Sequence, residues 1–133
     1  MAIILDADVI IHGERGAFDL RRWLESVGDE RFEVAAITVA ELWHGVERAT
    51  AAQRNLRESY LRALLDVLPI IAYTEQTAYH HARLWAQLET SGKMVGPYDL
   101  IVAATAFERE STLATFNKRH FGNVKGLNLI EPK

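Results

Sequence analysis

The stretch AIILDADVII, residues 2–11, decides how this chain is read. Its first four residues, Ala2 to Leu5, are apolar without alternation. That is the pattern of a short strand buried on both faces, as in a parallel sheet covered by helices. Two acids, Asp6 and Asp8, then break the apolar run. A carboxylate straight after a buried strand is costly unless something neutralises it or hydrogen-bonds to it. In an open α/β sheet, ligands bind beyond the carboxyl ends of the strands, and Asp6 stands at such an end.

Working outward, the pattern alternates between helix and strand. A helix is predicted over Phe18–Val27, closed by Gly28, and a strand over Phe32–Ile37. Thr38 opens a helix to Ala49 with Val39, Leu42, Trp43 and Val46 on one apolar face. A further helix covers Ala52–Leu68, with Leu56, Tyr60, Leu61, Leu64, Leu65 and Leu68 as its stripe, and Pro69 stops it. Ile70–Tyr73 reads as a strand and Thr74–Ser91 as a helix ended by Gly92. After the loop to Pro97 comes a helix to Glu110, then strands at Leu113–Thr115 and Leu127–Ile130. Such alternation predicts an α/β sandwich on a largely parallel sheet, and residues 1–133 are expected to form a single domain.

Bulk properties narrow the function. Hydrophobic residues make up 49% and charged residues 25%, which suits one packed core and excludes a disordered chain. No apolar run approaches the ~20 residues of a membrane span, and the first residues lack a basic leader, so no membrane role is expected. The chain has no cysteine. That excludes disulfides, thiolate metal sites and cysteine nucleophiles, and fits a cytoplasmic location. A net charge of -3 argues against a general polyanion binder but leaves room for a local basic patch.

Polar residues fall at the expected strand ends. Asp6 follows strand one, Thr38 and Glu41 follow strand two, and Asn117 follows the strand ending at Thr115. Asp99 lies in the first turn of a helix after a Gly-Pro loop. Several carboxylates in one place repel one another and raise their pKa values. A hard divalent cation removes that penalty, and an oxygen-only donor set suits Mg²⁺ or Mn²⁺ better than Zn²⁺. Plainer readings stand beside this one. Asp8 can cap the helix after strand one, which is favoured over metal binding. Thr38-Val39-Ala40-Glu41 has the form of a capping box, Asp99 suits a helix N-terminus, and Asn117 suits a left-handed turn. Gly45, inside a helix, points either to close approach by a backbone or ligand or to tight core packing. His81 is expected in the core, and Trp23, Trp43 and Trp85 as core or interface anchors. Lys118, Arg119, His120 and Lys125 either hold backbone phosphates or form a solvated loop, with His120 read as a surface residue.

Four segments carry a resemblance: LDADVII with Asp6, TVAELWHGV with Glu41, GPYDLIVAATA with Asp99, and TFNKRHF followed by GLNLI. In order and spacing they resemble the PIN-domain ribonucleases, and most of all the VapC toxins of bacterial toxin–antitoxin pairs. The resemblance runs from the first strand to the last. It implies a three-layer α/β/α sandwich and Mg²⁺- or Mn²⁺-dependent hydrolysis of RNA to 5′-phosphate and 3′-hydroxyl ends. By motif, Asp6 and Asp99 are the principal metal ligands and Glu41 the third acid, acting directly or through water. Asn117 takes the fourth polar position, and Thr115 orients the site by hydrogen bonding. The partners implied are RNA, a cognate VapB-like antitoxin and a second copy of the chain, within a higher toxin–antitoxin assembly. The chain departs from the family pattern at Asp8, where Ser, Thr or Asn is frequent, and at Asn117 and His120, where acids are common.

Two rival readings remain. Asp6-Ala7-Asp8-Val9 also matches the DxD signature of haloacid-dehalogenase-like phosphatases, with Asp6 as nucleophile, although no suitable downstream lysine and acidic pair is present. The neutral Asn117 also leaves open a catalytically weak module that binds an antitoxin or RNA.

Overall fold

A computed structural model describes residues 2–133. Strand β1 (Ala2–Leu5) runs into helix α1 (Ala7–Glu14), followed by α2 (Leu20–Ser26) and β2 (Arg31–Ala35). Helices α3 (Ala36–Glu47) and α4 (Ala51–Leu65) lead to the short strand β3 (Ile70–Ile71). The rest comprises α5 (Glu75–Ser91), α6 (Pro97–Glu108), β4 (Thr112–Ala114), α7 (Lys118–Phe121) and β5 (Leu129–Ile130). The five strands form one sheet in the order β3-β2-β1-β4-β5. Every pairing is parallel, in register Ile3 with Phe32 and Ile4 with Leu113 on either side of β1.

Alternation along the strands divides the core in two, because successive side chains point to opposite faces. Ile3, Leu5, Val34 and Ala114 pack with Val9, Ile10, Leu20, Trp23, Leu42, Val46 and Leu61 from α1 to α4. Ile4, Ala35 and Leu113 pack with Leu84, Leu88 and the Ala-rich face of α6. The result is the three-layer α/β/α sandwich expected, with β1 buried at its centre and its carboxyl end opening onto one edge.

Local chemistry explains the element ends. Thr74 and Thr77 form a reciprocal capping box at the start of α5, and Gly92 ends that helix at φ 69°, a left-handed conformation that glycine adopts without steric cost. At Gly13 a Cβ would stand 2.8 Å from Leu20 Cβ and 3.0 Å from Tyr60 Oη, so α1 packs closely on α2 and α4 only with glycine there. Buried Glu33 on β2 takes a bidentate pair from Arg109 at the end of α6, at 3.0 and 2.7 Å.

Several expectations are corrected. The second half of the opening stretch is helix α1, whose N-cap is Asp6 and not Asp8. Strand β2 ends at Ala35 and α3 follows with no loop. Thr38 is therefore the third residue of α3, and Thr38 and Glu41 form no capping box. Ile37, whose run looks strand-like, instead packs in the first turn of α3 against the core on the α5–α6 side. The α4 stripe is only partly covered, with Leu56 exposed and Leu61 buried. Trp85 is 55% exposed and stacks on His81, which is half-buried and hydrogen-bonds Tyr73. Gly45 has nothing within 4 Å of its Cβ position, so neither core packing nor a neighbouring backbone requires it.

Candidate active site

The carboxyl ends of the two central strands build the site. Asp6 leaves β1, where the backbone turns directly into α1, and it is only 5% exposed. Its Oδ1 accepts the Ala7 N–H at 2.8 Å and its Oδ2 accepts the Thr115 hydroxyl at 2.8 Å. Thr115 follows β4 and is fully buried, and its Oγ1 in turn accepts the Asn117 N–H at 2.9 Å. Asp8, one residue into α1, accepts the Phe116 N–H at 3.2 Å and lies 3.4 Å from the Thr115 hydroxyl. The β4–α7 junction is thus stitched to the β1–α1 junction through two carboxylates.

Glu41 and Asp99 come from the helices that cross this edge. Glu41 lies one turn after Thr38 on α3, a spacing that stacks their side chains. Both Thr38 Oγ1 and Glu41 Oε1 are buried without a hydrogen-bond partner, an arrangement that native proteins seldom leave unexplained. Asp99 is in the first turn of α6, where the helix dipole favours a negative charge. Its Oδ2 lies 3.4 Å from His120 Nε2.

Electrostatics tie the acids together. Burial pushes the Asp6 carboxyl up to about 7; the Asp8 and Asp99 charges add to this, while the bonds from Thr115 and Ala7 oppose it. Burial also raises Glu41 to about 7, with Asp99 and then Asp8 contributing. Asp8 and Asp99 are raised chiefly by burial, opposed by the Phe116 N–H and His12 at Asp8 and by His120 at Asp99. Among the described residues no lysine or arginine pairs with any of the four. A cluster that feels its own repulsion, with an orphaned carboxylate oxygen and an all-oxygen donor set, fits a hard divalent cation. Among the described residues no group of three or more Asp, Glu or His side chains is placed to hold a metal ion; Mg²⁺ keeps several waters and takes only one or two carboxylates directly.

The structure therefore brings Asp6, Asp8, Glu41 and Asp99 into mutual influence. Asn117 joins through its backbone; its side chain is exposed and its φ of -105° is not left-handed. His120 is not a plain surface residue, since its Nε2 accepts the Gly96 N–H at 3.0 Å. The orphaned Thr38 hydroxyl was not legible as part of the site beyond its place after strand two.

A parallel α/β/α sandwich with Asp6, Asp8, Glu41 and Asp99 at the carboxyl edge of its central strands defines an open-sheet class with an acidic edge. More narrowly, the chain belongs to the PIN domain family, whose pattern matches residues 3–127. It is 31% identical over 126 residues to Ribonuclease VapC2 of Haemophilus influenzae, covering 93% of this chain and 92% of that one. It is 31% identical over 104 residues to the tRNA(fMet)-specific endonuclease VapC of Salmonella typhimurium, covering 78% and 77%. Among solved structures, VapBC2 from Rickettsia felis bound to a DNA fragment from its promoter superposes with a TM-score of 0.91. It is 25% identical, with 98% of both chains covered.

Proposed function

We propose that this chain is a divalent-metal-dependent endoribonuclease, the toxin of a VapBC-type pair, acting as a single domain. The observation that carries the reading is the buried, partnerless Glu41 Oε1, whose carboxyl is raised by the neighbouring Asp99 and Asp8 charges, with no lysine or arginine paired to any of the three among the described residues. Asp6, Asp99 and Glu41 would hold the cation, Mg²⁺ in the cell with Mn²⁺ able to replace it. When bound, such an ion neutralises the acids, makes a water more acidic and polarises a phosphoryl oxygen.

The chain's residues supply the remainder. Thr115 and the Ala7 N–H fix both oxygens of Asp6 before any ligand arrives, so the site is pre-organised. Glu41 Oε1, buried without a partner, would hold the ion directly or through one of its waters. Asp8, held by Phe116, adds negative charge behind Asp6. Lys118 and Arg119, exposed on α7 beside the site, are placed to hold backbone phosphates. Water attacks phosphorus in line, the P–O3′ bond breaks, and the proton ends on the 3′ oxygen. The products are a 5′-phosphate and a 3′-hydroxyl. A VapB-like antitoxin and a second copy of the chain are the proposed partners. Exposed Leu56, Val67 and Ile70, and separately Trp85, Met94 and Tyr98, are apolar surface available to such an assembly.

The test is cleavage of total RNA by purified protein, with initiator tRNA as the first defined substrate because a relative bears that specificity in its name. Cleavage should require Mg²⁺ or Mn²⁺, stop with a chelator, leave ligatable 5′-phosphates, and fall to background in Asp99→Asn and Glu41→Gln. Undiminished cleavage in chelator, or in both variants, would overturn the reading.

A further inference from the structure

Asp99 depends on how helix α6 begins, and that helix begins without a side-chain cap. Its N-cap is Gly96, at the end of the irregular stretch after Gly92. The Gly96 N–H is satisfied from twenty-four residues away, by His120 Nε2 at 3.0 Å. To accept there, Nε2 must present its lone pair, so a neutral ring carries its proton on Nδ1. Nε2 then has no hydrogen to give Asp99 Oδ2, 3.4 Å away. Its bond goes to the backbone that carries Asp99, not to the carboxylate. The three groups are packed together: a Cβ on Gly96 would meet Asp99 Oδ2 at 3.6 Å and His120 Nε2 at 4.0 Å.

His120 is itself well anchored. It lies in the one-turn helix α7, whose next residue, Phe121, is fully buried against Leu113 and α6. A second bond joins the same two segments, from Asn123 Nδ2 to the Met94 carbonyl at 3.4 Å. The stretch leading into α6 is therefore tied at Met94 to Asn123, two residues past α7, and again at Gly96 to α7 itself. The second tie lies three residues before an acid whose charge reaches both Asp6 and Glu41.

We propose that His120 is a positioning residue for Asp99: by accepting the Gly96 N–H it fixes the first turn of α6 and thereby sets the affinity of the acid cluster for a divalent cation. The inference rests on Asp99 being an ion ligand, as proposed above. It assigns a role to the imidazole that stands where acids are common in the family. An acid there would add charge to the cluster. The neutral histidine adds none and acts through the backbone; the protonated ring, whose charge lowers the Asp99 pKa, cannot accept that N–H.

The experiment measures Mn²⁺ affinity by electron paramagnetic resonance, without substrate. The variants are His120→Ala, His120→Leu (bulk without an acceptor), His120→Gln (an acceptor retained) and Asp99→Asn, each checked for a cooperative thermal transition. Loss of one hydrogen bond predicts about fivefold weaker Mn²⁺ binding in His120→Ala and His120→Leu, with His120→Gln close to wild type. Amide exchange at Gly96, followed by NMR, should be slow in wild type and His120→Gln and fast in the other two. If Asp99→Asn weakens Mn²⁺ binding while His120→Leu does not, or if His120→Gln is as weak as His120→Leu, the positioning role is wrong and the site stands. If Asp99→Asn binds Mn²⁺ like wild type, the site reading fails and this inference with it. Fast exchange at Gly96 in the wild type refutes the clamp even if a variant does not fold.

Discussion

Replacing Asp6 with asparagine should stabilise the protein in the absence of metal while destroying its function. Asp6 is almost wholly buried, and burial lifts its carboxyl from 3.8 to about 7. The folded chain therefore holds that proton more tightly than the unfolded chain does. Between these two values the native state binds more protons, so stability falls as pH rises. The contribution is full below about 3.8 and gone above about 7. At about 1.4 kcal/mol per pKa unit, the ionised carboxylate costs the metal-free fold about 4 kcal/mol near pH 8. Asparagine carries no such penalty. Its Oδ1 can keep the Ala7 bond, and its Nδ2 can donate to Thr115 Oγ1, whose hydrogen can turn to Asp8. Urea unfolding in chelator should find Asp6→Asn more stable than wild type by about 3–4 kcal/mol at pH 8, shrinking below about 1 kcal/mol at pH 4. Added Mn²⁺ should raise the stability of the wild type and scarcely change the variant. The reasoning is refuted if wild-type stability in chelator is flat from pH 4 to 8, or if the variant is the less stable protein at pH 8.

Other perturbations have expected outcomes of different kinds. Thr115→Val removes a hydrogen bond that holds Asp6 ionised, so the alkaline rise of the cleavage pH profile should move to higher pH; an unmoved profile would deny Thr115 that role. Arg109→Met removes the bidentate partner of Glu33, 2% exposed, and leaves only Arg31 Nε 3.6 Å away, and should cost about 2 kcal/mol in urea unfolding at pH 7. Gly45→Ala adds a methyl group where nothing stands within 4 Å and should stabilise the fold by about 0.5–1 kcal/mol. Because Gly45 lies one turn beyond Glu41, a fall in RNA cleavage with metal affinity unchanged would show that RNA passes there.

Much of the fold was legible because hydrophobic patterning is a local property. The apolar run at Ala2–Leu5, the strand before Thr38 and the Pro97 start of α6 each announce themselves within a few residues. The boundaries were less legible. Ala36 and Ile37 continue the strand pattern in sequence, yet they become the first turn of α3 because packing on the α5–α6 side captures Ala35 and Ile37. Likewise Val9, Ile10 and Ile11 favour a strand by type, but the Asp6 cap and the fit against α2 make them a helix.

The identities of Asp6, Glu41 and Asp99, and the oxygen-only chemistry they allow, were determined by sequence alone, since donor type is intrinsic to a side chain. What those donors experience was decided only by the tertiary structure. Asp6 is capped on one oxygen by its neighbour and on the other by a residue 109 positions away. Glu41 retains a buried oxygen with no partner, and His120 reaches the Gly96 amide across the β4–α7 junction. Burial and long-range hydrogen bonding set pKa values and orientation, and both depend on which distant segments the folded chain brings into contact.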